Sequence, residues 1–130
     1  MATVTAKISL SSNTLLSNPL SISTVNTVVA KFTTGLARQE ITSVLKATAS
    51  GQVTLYTAGD YTTPMYLYVK NTDSKSTDYV NIYVDTAADD PDLLRLSGGE
   101  WAFLPLNDAT LKAYAATSGT VVEWIVYANA

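Results

Sequence analysis

Apolar and polar residues alternate one for one along most of this chain, and that period of two constrains the fold more than any other feature. Met65, Leu67 and Val69 face one way and Tyr66, Tyr68 and Lys70 the other. Val80, Ile82 and Val84 alternate with Tyr79, Asn81, Tyr83 and Asp85, and Val4, Ala6, Ile8 and Leu10 with Thr5, Lys7 and Ser9. Successive side chains of a strand point to opposite faces, so this pattern buries one face and leaves the other to solvent or a partner. Turn residues such as Gly59-Asp60 and Thr117-Ser118-Gly119 interrupt the rhythm about every 8–15 residues. Thr, Ser, Val, Ala and Tyr outnumber Glu, Lys and Arg, a strand composition and not a helical one. The reading is an all-β chain: one antiparallel β-sandwich domain over residues 1–130, jelly-roll or immunoglobulin-like, with about eight or nine strands.

Three local readings follow. Leu93 to Leu106 (LLRLSGGEWAFLPL) is broken by Gly98-Gly99, a tight turn. Glu100 is read as a turn residue whose carboxylate accepts nearby backbone N–H groups. After it Trp101, Phe103 and Pro105 alternate with Ala102, Leu104 and Leu106, an aromatic face against an aliphatic one. Pro105 cannot donate to a ladder, so this strand is expected to be short or to end near an edge. Leu36 to Ala49 fits a helix face and a strand about equally; the short turn Ser50-Gly51-Gln52 and the strand Val53 to Thr57 favour a hairpin. The expected core is Leu67, Val69, Val80, Ile82, Val84 and Leu104, with Val122, Trp124 and Val126 from the last strand.

Composition narrows function mostly by exclusion. The 130 residues include neither His nor Cys, which removes Ser-His-Asp and Cys-His catalysis, imidazole and thiolate metal sites, and disulfides. The net charge is −3 and the basic residues are scattered, so no patch favours nucleic acid. No apolar run is long enough for a membrane helix, and no signal peptide is visible, which points to folding in a cytoplasm. No glycine spacing builds a phosphate loop. Asp85, Asp89, Asp90 and Asp92 form the one charge cluster, either a Ca²⁺ loop or a solvated turn; with no EF-hand spacing, the expectation is no metal and no cofactor. Glu40, Glu100 and Glu123 are the other carboxylates weighed for glycoside hydrolysis, and a chain of this size rarely builds the cleft it needs. No catalytic residue is assigned, and the expectation is a protein that is not an enzyme.

Tyr66, Tyr68, Tyr79 and Tyr83 are the candidate site. They share one parity on two strands joined by one loop, and if those strands form a hairpin the four rings lie on one outward face. Such a face is ordinary β surface, a protein interface, where Tyr buries area at low entropy cost, or a carbohydrate platform.

The succession Tyr66-Leu67-Tyr68-Val69-Lys70-Asn71-Thr72-Asp73, Tyr79-Val80-Asn81-Ile82, Leu96 to Leu106, Leu111 to Ala115 and Val121 to Tyr127 resembles small structural proteins of tailed bacteriophages. Those carry a strand ending in K-N-T-D, a P/G-G-E turn before an aromatic-aliphatic strand, and a last strand of V-E-Y character. The resemblance covers Pro64 to Tyr127; Ser97-Gly98 stands where the pattern has Pro-Gly or Gly-Gly alone. It implies a virion component on the capsid surface: a cement or decoration protein, or a tail or head-tail component. It further implies binding to the major capsid protein and a homo-oligomer, a trimer before a dimer, with no nucleic-acid or membrane partner. A carbohydrate-binding or adhesin module stands as the alternative.

Overall fold

The computed structural model describes residues 2–13, 20–32, 35–44, 53–59, 61, 65–85 and 92–130. Among these the chain is all-β, with ten antiparallel strands and no helix, consistent with a β-sandwich. Packing divides it into two compact units, Met1–Lys31 with Asn129–Ala130, and Phe32–Ala128.

The first unit is a long ribbon. β1 (Ala2–Ser12) pairs with β2 (Leu20–Phe32) in one uninterrupted register from Ala2↔Ala30 to Ser12↔Leu20. The amide of Ala130 donates to the Val29 carbonyl at 2.8 Å.

The second unit holds β3 (Ala37–Ile41), β4 (Val53–Tyr56), β5 (Met65–Asn71), β6 (Val80–Val84) and β7 (Asp92–Leu96), followed by β8 (Trp101–Leu106), β9 (Leu111–Ala115) and β10 (Thr120–Asn129). Their pairings nest: β3 with β10, β4 with β9, β5 with β8 and β6 with β7. Two further ladders, β5 with β10 and β6 with β9, complete the sheets β3-β10-β5-β8 and β4-β9-β6-β7. Within this unit only β6 and β7 are neighbours both in sequence and in a ladder, and every other connection between its strands passes from one sheet to the other.

That crossing corrects two readings. β3 and β4 lie in different sheets and do not pair with each other, while the turn read at Ser50-Gly51-Gln52 falls, with residues 45–52, outside the described ones. Nor do β5 and β6 form a hairpin. The reason is shared: a strand with one apolar face is buried by a facing sheet, not by the strand beside it. The strand count also rises, because Asp92–Leu96, with its apolar Leu93, Leu94 and Leu96, is a strand of its own before the Gly98-Gly99 turn.

The core lies between these two sheets. Met65, Leu67, Val69, Val122, Trp124 and Val126 face Val53, Leu55, Val80, Ile82, Leu111, Ala113 and Ala115, all buried. Of the expected core, Val84 and Leu104 are only partly buried, at strand positions packed against it. β8 ends the order of its sheet, as Pro105 requires.

Candidate functional site: an aromatic sheet face

The ladder registers fix which residues share the outer face of β10, β5 and β8. Tyr66 lies between Tyr127 and Pro105, Tyr68 between Ile125 and Phe103, and Lys70 between Glu123 and Trp101. Directly opposed residues point to the same side of a sheet. Their neighbours Leu67 and Val69 point into the core, so these side chains point out. The ring centroids of Tyr66 and Tyr127 are 5.3 Å apart and those of Tyr66 and Phe103 5.9 Å, both pairs stacked. Phe103 and Tyr127 stack at 6.4 Å. Tyr127 is buried, Tyr66, Tyr68 and Phe103 are half-buried, and Trp101 is 53% exposed. The result is an aromatic platform whose open end is an indole.

Charge borders that end. Glu123 pairs with Arg38 of β3 at 3.3 Å. Burial raises the Tyr68 hydroxyl above its ordinary range, helped by the Glu123 carboxylate and a hydrogen bond to it. Burial likewise raises Tyr127, with Tyr66 adding to it. Both phenols stay neutral at physiological pH, so the platform offers rings and hydroxyls and no anion of its own.

The structure therefore splits the four tyrosines. Tyr66 and Tyr68 stand on this face. Tyr79 precedes β6 and Tyr83 lies within it, in the other sheet. Tyr79 carries the Arg95 guanidinium over its ring at 3.3 Å from the centroid. Tyr83 is only 1% exposed. It sits between β9 and β7, opposite Lys112 and Asp92, its ring tilted against Tyr114 at 6.0 Å. Parity correctly placed Tyr83 away from Val80 and Ile82, but on a central strand both flanks are filled, so facing away from the core does not make it exposed. Trp101, Phe103 and Tyr127 belong to the platform and were missed. The sequence shows each strand's aromatic parity but not that β8 and β10 flank β5.

The carboxylates are engaged locally. Asp85 bonds Lys112 Nζ at 2.7 Å, and Asp92 accepts from the Tyr114 hydroxyl at 3.3 Å. Asp89 and Asp90 lie outside the described residues, and among the described ones no three acidic groups gather as a metal site. Asp108 accepts from the Tyr56 hydroxyl at 2.5 Å and from the Gly59 amide at 2.7 Å, closing the turn after β4. Glu100 accepts from the Ser97 amide at 2.7 Å, the turn role its sequence position implies.

No protein-family model matches this chain, and a search of curated proteins finds no match either.

Proposed function

We propose that this protein is a structural component of a tailed-phage virion, a capsid cement or decoration protein that binds the assembled shell of the major capsid protein and stabilises it. The observation that carries the reading is the outward aromatic platform of Tyr66, Tyr68, Phe103 and Trp101. Aromatic rings supply large contact area at low entropy cost and are enriched where proteins meet. A protein that binds the assembled lattice and not its dissociated subunits stabilises the lattice by mass action, with no chemistry. The resemblance of Pro64 to Tyr127 to phage structural proteins supports the same reading. So does the strand order. Nested pairs β3–β10, β4–β9, β5–β8 and β6–β7 describe one long hairpin rolled into two sheets, which favours the jelly roll over the immunoglobulin type.

Jelly rolls serve in capsids and in lectins alike, and fold alone does not choose. Trp101, exposed beside Lys70 and near Glu123, favours carbohydrate binding as the second reading, because an open indole with polar neighbours suits a sugar ring.

One set of proteins separates the two. Parent and the double variant Tyr66→Ser, Trp101→Ser are sedimented with purified shells of the same phage's major capsid protein. Retention of the parent, lost by at least about tenfold in the folded variant, supports the shell reading. A parent that stays in the supernatant, or a variant retained equally, overturns it. Trp101-dependent signal on a glycan array, without retention on shells, establishes the carbohydrate reading in its place.

A further inference from the structure

β1 is an edge strand with β2 as its only ladder neighbour among the described residues. Eleven residues long, it runs without a register shift or a proline, and Lys7 is its one charge. Natural sheets blunt such edges with charge, proline, bulges or a cover, because an open row of N–H and C=O groups pairs with another chain. The even-numbered face of the β1–β2 ribbon carries Val4, Ala6, Ile8 and Leu10 opposite Val28, Asn26, Thr24 and Ile22. Leu10 and Ile22, directly opposed, are 51% and 47% exposed.

The order of side chains along β1 says which strand fits that edge. A two-fold axis perpendicular to the ribbon keeps the aliphatic faces of two copies on one side and pairs even residues with even. Centred on Ala6, it places Ala6 opposite Ala6 of the other copy, Val4 opposite Ile8 and Ala2 opposite Leu10. On the other face Thr5 meets Lys7 and Thr3 meets Ser9. Aliphatic meets aliphatic, hydroxyl meets hydroxyl, and no like charges face each other. Centring on Lys7 would oppose two ammonium groups directly, and centring on Thr5 or Ile8 shortens the ladder or sets Val4 against Ser12.

We propose that two copies of this chain pair antiparallel through their β1 edges about a two-fold axis at Ala6, forming a continuous sheet β2-β1-β1-β2 with the aliphatic side chains of both β1 strands on one face. This interface is separate from the aromatic platform and does not rest on the shell reading.

The test uses the whole chain, which has no native cysteine. Light scattering over a concentration series should give a limiting mass of about twice 13.9 kDa. Ala6→Cys, the one β1 position facing itself across the axis, should form an interchain disulfide under mild oxidation. Leu10→Cys, though more exposed, should do so far more slowly, because its counterparts stand roughly eight residues apart along the ladder. Thr5→Lys should weaken the dimer and Thr5→Glu tighten it, the two constants differing by at least about tenfold at low salt and converging at high salt. A mass that stays at one chain throughout the series overturns the proposal, as does Leu10→Cys crosslinking as fast as Ala6→Cys. A higher oligomer with no response to either Thr5 change also overturns it, since another surface then holds the copies together.

Discussion

The side-chain amide of Asn71 donates to the carbonyl of Leu96 at 3.1 Å, joining the last residue of β5 in one sheet to the last residue of β7 in the other. The same Nδ2 donates to the Asp78 carbonyl at 2.7 Å, and Oδ1 accepts from the Asp73 amide at 3.0 Å. The backbone amide of Asn71 donates to Glu100 at 2.9 Å, and its carbonyl accepts from Gly99 at 3.1 Å. One fully buried residue thus fixes the loop after β5, the Gly98-Gly99 turn and the spacing of the sheets at this end.

Asn71→Leu keeps the branched outline, somewhat enlarged, and removes all three side-chain bonds. The Leu96 carbonyl loses its partner in a buried site, and the half-buried Asp78 carbonyl and Asp73 amide lose theirs, at a cost of about 2–4 kcal/mol in denaturant unfolding. Asn71→Asp should be worse at neutral pH and partly recover in acid, because an ionised carboxylate would face the Leu96 and Asp78 carbonyls, whereas its protonated form has one donor to offer. Equal stability of the Asp variant at both pH values would show that the amide's donors are not what holds this site.

Gly98 and Gly99 are adjacent and differ in why they are glycine. A Cβ on Gly98 would stand 2.3 Å from the Lys75 carbonyl oxygen, and backbone cannot step aside as a side chain can. Gly99 has φ 83 and open space around its Cα. Gly98→Ala should therefore cost about 2 kcal/mol or more by forcing the 72–78 loop away. Gly99→Ala should cost about 1–2 kcal/mol, from the left-handed backbone alone. Gly35→Ala, with neither constraint, should be neutral or slightly stabilising. Thermal melts of the three variants rank them.

The period of two made strands, faces and core readable: Leu67, Val69, Val80, Ile82, Val122 and Val126 are buried because alternation alone commits them. What alternation cannot carry is which strand lies beside which. Tyr66 stacks on Tyr127 and Phe103, far away in sequence, and those contacts are set by the β5–β10 and β5–β8 ladders. Local pairing of β3 with β4 and of β5 with β6 fails for the same reason. Asn71 was legible in part: it continues the inward parity of Met65, Leu67 and Val69, and a polar residue there must find partners.

Tyr66 and Tyr83 give the sharpest contrast. Both were read as outward rings. Tyr66→Ser removes a half-buried ring from an outer face and should cost about 1 kcal/mol or less beyond its stacking. Tyr83→Ser empties a buried site between β7 and β9 and should cost about 3–5 kcal/mol, the range for truncating a buried aromatic ring. Denaturant midpoints within about 1 kcal/mol of each other would contradict the placement of Tyr83.

Trp124 is buried in the core, yet its Nε1 meets no acceptor among the described residues. Its worth is then volume and not hydrogen bonding. Trp124→Ala should cost about 3–5 kcal/mol, whereas Trp124→Phe, which keeps a ring and discards the unmet N–H, should lose clearly less. A Phe variant as unstable as the Ala variant would show that the indole nitrogen has a partner that matters.

Alkaline pH should destabilise the fold through two phenols of the aromatic platform. Tyr68 and Tyr127 both have raised values in the folded chain, from burial first and then from Glu123 and Tyr66 respectively, against 10.0 when unfolded. A raised phenol means the folded state holds its proton longer than the unfolded one. The sign follows: these two contribute their full stability below about pH 10, and it is lost as pH rises through the raised folded values. Unfolding midpoints measured from neutral to strongly alkaline pH should fall beyond that point. The double change Tyr68→Phe, Tyr127→Phe removes the phenols and keeps the rings, so it should flatten that fall while leaving the neutral-pH midpoint within about 1 kcal/mol. Tyrosinate absorbance provides the independent reading, because the variant should lose the late-ionising contribution of Tyr68 and Tyr127. A variant whose alkaline slope matches the parent's would assign the pH dependence to other groups.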